Sequence, residues 1–214
     1  MTPPSSLRDR ILADAAKRPV RTRGQGRLRA TVAYSIATAG ALALFQAWGG
    51  MSHSAGRPGS LTFGIAAGAV LLAAAATSVA WWRGRSLVGR PASFLLATAA
   101  LLPVATFVWM VSFSGHYAEP FQRVGWRCLG MTLFGGSLLL GAVATLRNRT
   151  IAVHAPVSGA ALGVTAGSWA AVLVDLWCPL TNVPHVLVGH VLPLVILAAV
   201  GGVLGHRVLR IRPR

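Results

Sequence analysis

Trp177-Cys178-Pro179-Leu180-Thr181-Asn182-Val183-Pro184-His185 is a short break between two apolar runs, at about 157–177 and 185–206. Each run holds roughly the 20 residues a helix needs to cross about 30 Å of hydrocarbon. A helix also satisfies its own backbone hydrogen bonds where lipid offers no partner. Four further runs of this kind precede them, at about 30–48, 61–82, 91–113 and 127–146. The chain therefore reads as an all-α integral membrane bundle of six transmembrane helices. Composition agrees: the 214 residues are 54% hydrophobic and only 11% charged, with mean hydropathy +0.62, too apolar for a soluble domain.

The few charges are distributed unevenly. Asp9, Asp14, Glu119 and Asp175 are the four acids, against 20 Lys and Arg and a formal net charge of +16. Seventeen bases lie in the N-terminal segment, the Arg83/Arg85/Arg90 and Arg147/Arg149 connections, and the C-terminal tail. Only Arg57, Arg123 and Arg127 lie on the alternate side. An excess of bases marks the cytoplasmic side, so both termini are expected in the cytoplasm. Three regions follow: a basic N-terminal segment at 1–29, a transmembrane domain at 30–206 and a basic tail at 207–214. Basic tails beside apolar spans suit anionic lipid, whereas nucleic-acid binding calls for a folded basic face, so no direct nucleic-acid contact is expected. The basic N-terminal stretch is too long for the start of a cleaved signal peptide. Within it, Ser6 and Asp9 resemble a capping box, and Leu7, Ile11, Leu12 and Ala15 share one helical face. That short helix is expected to end near Pro19 and a Gly24/Gly26 linker.

Small residues at four-residue spacing predict close helix contacts: Gly64/Gly68, Gly159/Gly163/Gly167 and Gly201/Gly205. Pro103 and Pro193 lie inside apolar runs and predict kinks.

This topology puts the two cysteines at one level, Cys128 at the outer start of the fourth span and Cys178 at the outer end of the fifth. They read either as a paired or reactive couple or as two small apolar side chains in a bundle. His116, His185 and His190 fall on the same side, with His53 farther off in sequence. Cysteine and histidine together suit zinc or copper, which makes the periplasmic Cys/His group a candidate metal site, although no cofactor is firmly implied. Ideal α-helical geometry separates His185 and His190 by about 140°, on different faces. Asp175, one turn inside Cys178, is the only acid near hydrocarbon, with Arg127 or a protonated His190 as its expected partner. The chain has no CxxC dithiol, P-loop, HExxH or GxSxG motif, so no enzyme is expected.

From Trp126 onward the chain resembles the NrsF-type anti-sigma factors, six-helix negative regulators of an extracytoplasmic-function sigma factor. The features are Arg127-Cys128-Leu129, the basic Leu146-Arg147-Asn148-Arg149 loop, Pro156-Val157-Ser158-Gly159-Ala160-Ala161-Leu162-Gly163, Cys178-Pro179 and Gly205-His206-Arg207-Val208-Leu209-Arg210. The resemblance implies a bacterial inner-membrane protein in which Cys128 and Cys178 are the sensing pair. His116, His185, His190 and Asp175 then stand as candidate metal or sensor support. The resemblance also implies that the N-terminal segment helps hold a cytoplasmic sigma factor; on the helical face read above, Leu7, Ile11 and Leu12 are then the expected apolar anchors, with Arg8 and Arg10 meeting acidic sigma surface. The signal would be oxidative, photo-oxidative or metal stress. Where the family commonly carries an acid after Cys178-Pro179, this chain has Leu180-Thr181-Asn182-Val183-Pro184-His185. Two other classes fit the same pattern: a small transporter or channel with the histidines and Asp175 on its pathway, and a structural subunit of a larger membrane complex.

Overall fold

The structure, a computed structural model, describes residues 23–51, 56–81, 91–147 and 153–208. Among them the elements are helices α1 (Arg23–Ala47), α2 (Gly59–Trp81), α3 (Ala92–Val111), α4 (Trp126–Arg147) and α5 (Ala155–Trp177). A continuous last segment follows, made of α6 (Val183–Val186), a π-helical turn (Leu187–Val191) and α7 (Leu192–Val208). No strand occurs among the described residues. Five helices are long and apolar enough to cross a membrane, the last segment counting as one, while the apolar part of α1, Thr31–Ala47, is shorter. Large apolar side chains such as Phe63, Leu71, Leu101, Val108 and Val203 face outward, as suits a lipid solvent.

Gly24 and Gly26 lie inside α1 rather than in a linker. A glycine costs a helix only about 1 kcal/mol, which the long run of helix formers after it offsets. The N-terminal residues Leu7, Arg8, Arg10, Ile11 and Leu12, His53, and most of the basic connections and tail lie outside the described residues.

Helix α5 is the axle of the bundle. It packs against α2, α3, α4 and α7, and 72% of its apolar window is buried, against 28–39% in the other four. Its sequence permits this because one face is nearly all small residues. At Gly159 an added Cβ would come within 2.8 Å of Gly205 Cα, and at Gly201 a Cβ would lie 2.9 Å from Gly163 Cα. The two glycine series therefore let α5 and α7 touch backbone to backbone, where dispersion can act in the absence of a hydrophobic drive. The Gly64/Gly68 pair works differently. Gly68 receives the indole of Trp109, whose Nε1–H donates to the Ile65 carbonyl at 3.1 Å, and Gly64 has nothing near it.

Helix α5 stops at Trp177 for a local reason. Pro179 disfavours helical backbone at the residue before it, and Cys178 is extended, at φ −87° and ψ 123°. The chain re-enters a helix at Asn182, whose side chain accepts from the His185 N–H at 3.1 Å, with Pro184 in the first turn. Pro193 then disturbs the last segment as expected, but as a change of winding. Proline cannot donate to the carbonyl four residues back and clashes with it. The turn before it widens to π, with the Leu192 N–H bonded to the Leu187 carbonyl.

Candidate functional site

Four side chains converge between the start of α4, the end of α5 and the last segment. Cys128 comes from the first turn of α4, Cys178 from the extended residue after α5, His185 from α6 and His190 from the π turn. One ligand-type atom from each lies within 4.8 Å of all the others, and all four residues are buried. His185 Nε2 stands 3.1 Å from Cys178 Sγ and 3.5 Å from Cys128 Sγ. Both cysteines are free thiols, set in an apolar cluster with Phe45, Met131, Val174, Trp177 and Leu180.

The π turn overturns the expectation that His185 and His190 occupy different faces. Their ring centroids are 5.6 Å apart, because a wider turn brings residues five apart into register, whereas an α-helix rotates them away from each other. Two glycines make the approach of this turn to α4 possible. A Cβ on Gly125 would meet Gly189 Cα and the His185 carbonyl at 2.6 Å, and one on Gly189 would lie 3.0 Å from Cys128 Cβ. No larger residue fits at Gly125 without moving the site.

The surrounding groups orient the two imidazoles. His185 Nδ1 lies 2.8 Å from the Arg123 carbonyl. A carbonyl can only accept, so Nδ1 carries the proton and Nε2 presents its lone pair to the thiols. His190 Nδ1 lies 2.8 Å from Asp175 Oδ1. The two groups form a buried pair through Nδ1, and His190 Nε2 has no hydrogen-bond partner. The expected partner of Asp175 is thus His190. Arg127 is exposed, at the mouth of the cleft described below.

Several contributors carry no motif and were not expected as site residues. Arg57 is buried, its Nε donating to Thr62 Oγ1 at 3.0 Å and its Nη2 to the Asp175 carbonyl. Glu119 grips the connection after Cys178: its Oε1 accepts from the Thr181 N–H at 2.7 Å and from the Thr181 hydroxyl at 3.1 Å, and its Oε2 from Asn182 Nδ2 at 2.6 Å. Such charge-assisted bonds exceed neutral ones in strength. The Tyr117 hydroxyl donates to the Pro179 carbonyl, and burial pushes this phenol up from its ordinary value, so it remains a donor. The only sequence signal for Glu119 was its rarity, as one of four acids. His116 is exposed and lies by Phe113, 6.4 Å between ring centroids, apart from the cluster.

An apolar-lined cleft of about 410 Å³ reaches the centre, walled by Phe121, Val124, Trp126 and Trp177, with Cys128, Cys178 and His185 on its floor. Fold and site together define an all-helical membrane-type protein with a buried thiol–imidazole centre at one end of its bundle. The sequence model of the NrsF family, described as negative regulator of sigma F, matches residues 12–211, and the chain belongs to that family. The match reaches well beyond the region from Trp126 onward, across the first three helices. The family is one of regulators rather than enzymes, and its description makes a sigma factor its partner. No match was found among curated proteins or among solved structures.

Proposed function

We propose that this chain is a six-span anti-sigma factor of the bacterial cytoplasmic membrane, with α1 as the first span and both termini in the cytoplasm. It holds an extracytoplasmic-function sigma factor at that face and releases it when an envelope stress alters Cys128 and Cys178. The observation that carries this reading is the convergence of two thiols, fifty residues apart in sequence, on the one imidazole of His185. Oxidants fit this input, since a disulfide between the thiols would form with loss of two protons and two electrons to the oxidant. Cys128 belongs to α4, while Cys178 and His185 flank the connection between α5 and the last segment. A change at the sulfurs therefore bears on three helices that run to the opposite face. About 2.7 kcal/mol of difference between the two thiol states would change sigma affinity a hundredfold, and a disulfide supplies energy of that order.

Replacing both thiols, Cys128→Ser with Cys178→Ser, is expected to fix transcription of the sigma target in one state under oxidant or metal challenge. Normal induction in that variant, read by reporter assay with membrane levels checked by immunoblot, would sink the sensor role. On the output side, Leu7, Ile11 and Leu12 are proposed to insert into sigma while Arg8 and Arg10 meet its acidic surface. Deleting residues 2–20 is then expected to free sigma into the soluble fraction and raise target transcription without stress. Sigma retained on the membrane would move its docking surface to the cytoplasmic loops.

A further inference from the structure

We infer that Cys128, Cys178, His185 and His190 form a four-coordinate Zn2+ site. Three observations support it, none of them drawn from a sequence motif. The first is shape. Zinc bonds of about 2.3 Å to sulfur and 2.0 Å to nitrogen place tetrahedral sulfur and nitrogen ligands roughly 3.5 Å apart. The two Sγ–Nε2 separations at His185 are 3.5 and 3.1 Å, and all four ligand atoms fall within 4.8 Å.

The second is the outer support. Ligating histidines characteristically give their other ring nitrogen to a carbonyl or carboxylate, which fixes the tautomer and aims the ligating nitrogen. Here His185 Nδ1 faces the Arg123 carbonyl at 2.8 Å, and His190 Nδ1 faces Asp175 at 2.8 Å. The third is the state of His190, which is fully buried, is paired with Asp175 through Nδ1, and has no hydrogen-bond partner at Nε2. A buried ring nitrogen without a partner is costly. A metal bond at Nε2 satisfies it.

The donor set narrows the ion. Two thiolates and two imidazoles disfavour Mg2+ and Ca2+, which take oxygen ligands, and suit Zn2+, which has no geometric preference of its own. Charge also balances: the ion displaces one proton from each thiol, two H+ leave for water, and a neutral unit remains in the buried centre. The cleft floored by Cys128, Cys178 and His185 provides the entry path. Zinc ties α4, the end of α5 and the last segment together at one point. Oxidation of the sulfurs, or capture by a more thiophilic metal, would untie them.

This inference deepens the sensing reading and rests on the same thiols, but its test is independent of transcription. Intact protein purified in detergent, reduced, stripped with chelator, reloaded with Zn2+ and freed of excess is expected to retain about one ion per chain. Substitution with Co2+ should give thiolate-to-metal charge-transfer absorption and the visible bands of a tetrahedral ion. Zinc loading should slow alkylation of both thiols at least about tenfold, since a metal-bound thiolate is a poor nucleophile. The variants Cys128→Ser and His190→Ala should lose the ion, and His116→Ala should keep it. Because a ligand deletion can also impair folding, His185→Cys is the second variant. It should stay loaded, with stronger sulfur-to-cobalt absorption from three thiolates. Well under one zinc per chain in the wild type, cobalt spectra without sulfur charge transfer, binding of Cu+ but not of Zn2+, or full loading in Cys128→Ser would each overturn the assignment. A failed zinc count would leave the thiol-sensor reading intact, whereas one bound zinc with normal induction in the double serine variant would remove that reading and keep the site.

Discussion

Gly163→Leu is expected to destabilise the folded bundle severely. At this position an added Cβ already runs into the Leu197 carbonyl of α7, with Leu197 C at 2.8 Å and Gly201 Cα at 3.2 Å. The obstacle is backbone on both sides, so no rotamer change relieves it, and α5 and α7 must separate. Overpacking a core costs about 1–3 kcal/mol and occasionally more. The upper end applies here because α5 also carries the contacts of α2, α3 and α4. The measurement is the yield of monodisperse protein in detergent together with its thermal unfolding. Gly64→Leu is the control: nothing lies within 4 Å of its Cβ position, and no loss of stability is expected, with a gain of up to about 1 kcal/mol from removing a glycine inside a helix. Wild-type melting of Gly163→Leu would show that the close helix crossing does not hold the bundle.

The second large effect concerns the buried acid. His190→Leu is expected to destabilise the chain by about 3–5 kcal/mol, because it leaves Asp175, only 1% exposed, without its nearby partner. The double variant Asp175→Leu with His190→Leu should recover most of that loss, since replacing both members of a buried polar pair by apolar groups is often near neutral. Chelator throughout keeps bound metal out of the comparison, and a double-mutant cycle on thermal or denaturant unfolding in micelles gives the coupling. Equal losses in the single and double variants would mean that the pair contributes no coupling.

Much of this was written in local patterns. The length of the apolar runs marks the helices, the Cys178-Pro179 step explains where α5 ends, and the glycine series anticipates the α5–α7 crossing. These signals are legible because each depends on a few neighbouring residues: hydrogen bonding within one helix, a proline acting on the residue before it, a face without side chains. The family features of the second half likewise led to the family that the chain belongs to.

The site was legible only in part. Cys128, Cys178, His185, His190 and Asp175 stand out by residue type, but Arg57 and Glu119 do not, because their roles depend on segments 118 and 62 residues away. His116 looked equal to the other histidines and is not part of the cluster. Sequence by itself determined an all-helical, membrane-type chain of the NrsF family and put its two thiols at the ends of adjacent helices. Tertiary structure decided that the thiols share a centre with both His185 and His190. The reason is the π turn before Pro193 and the Gly125–Gly189 contact, which change the angular register of the last segment. A sequence read at the regular α-helical period assigns those two histidines to different faces.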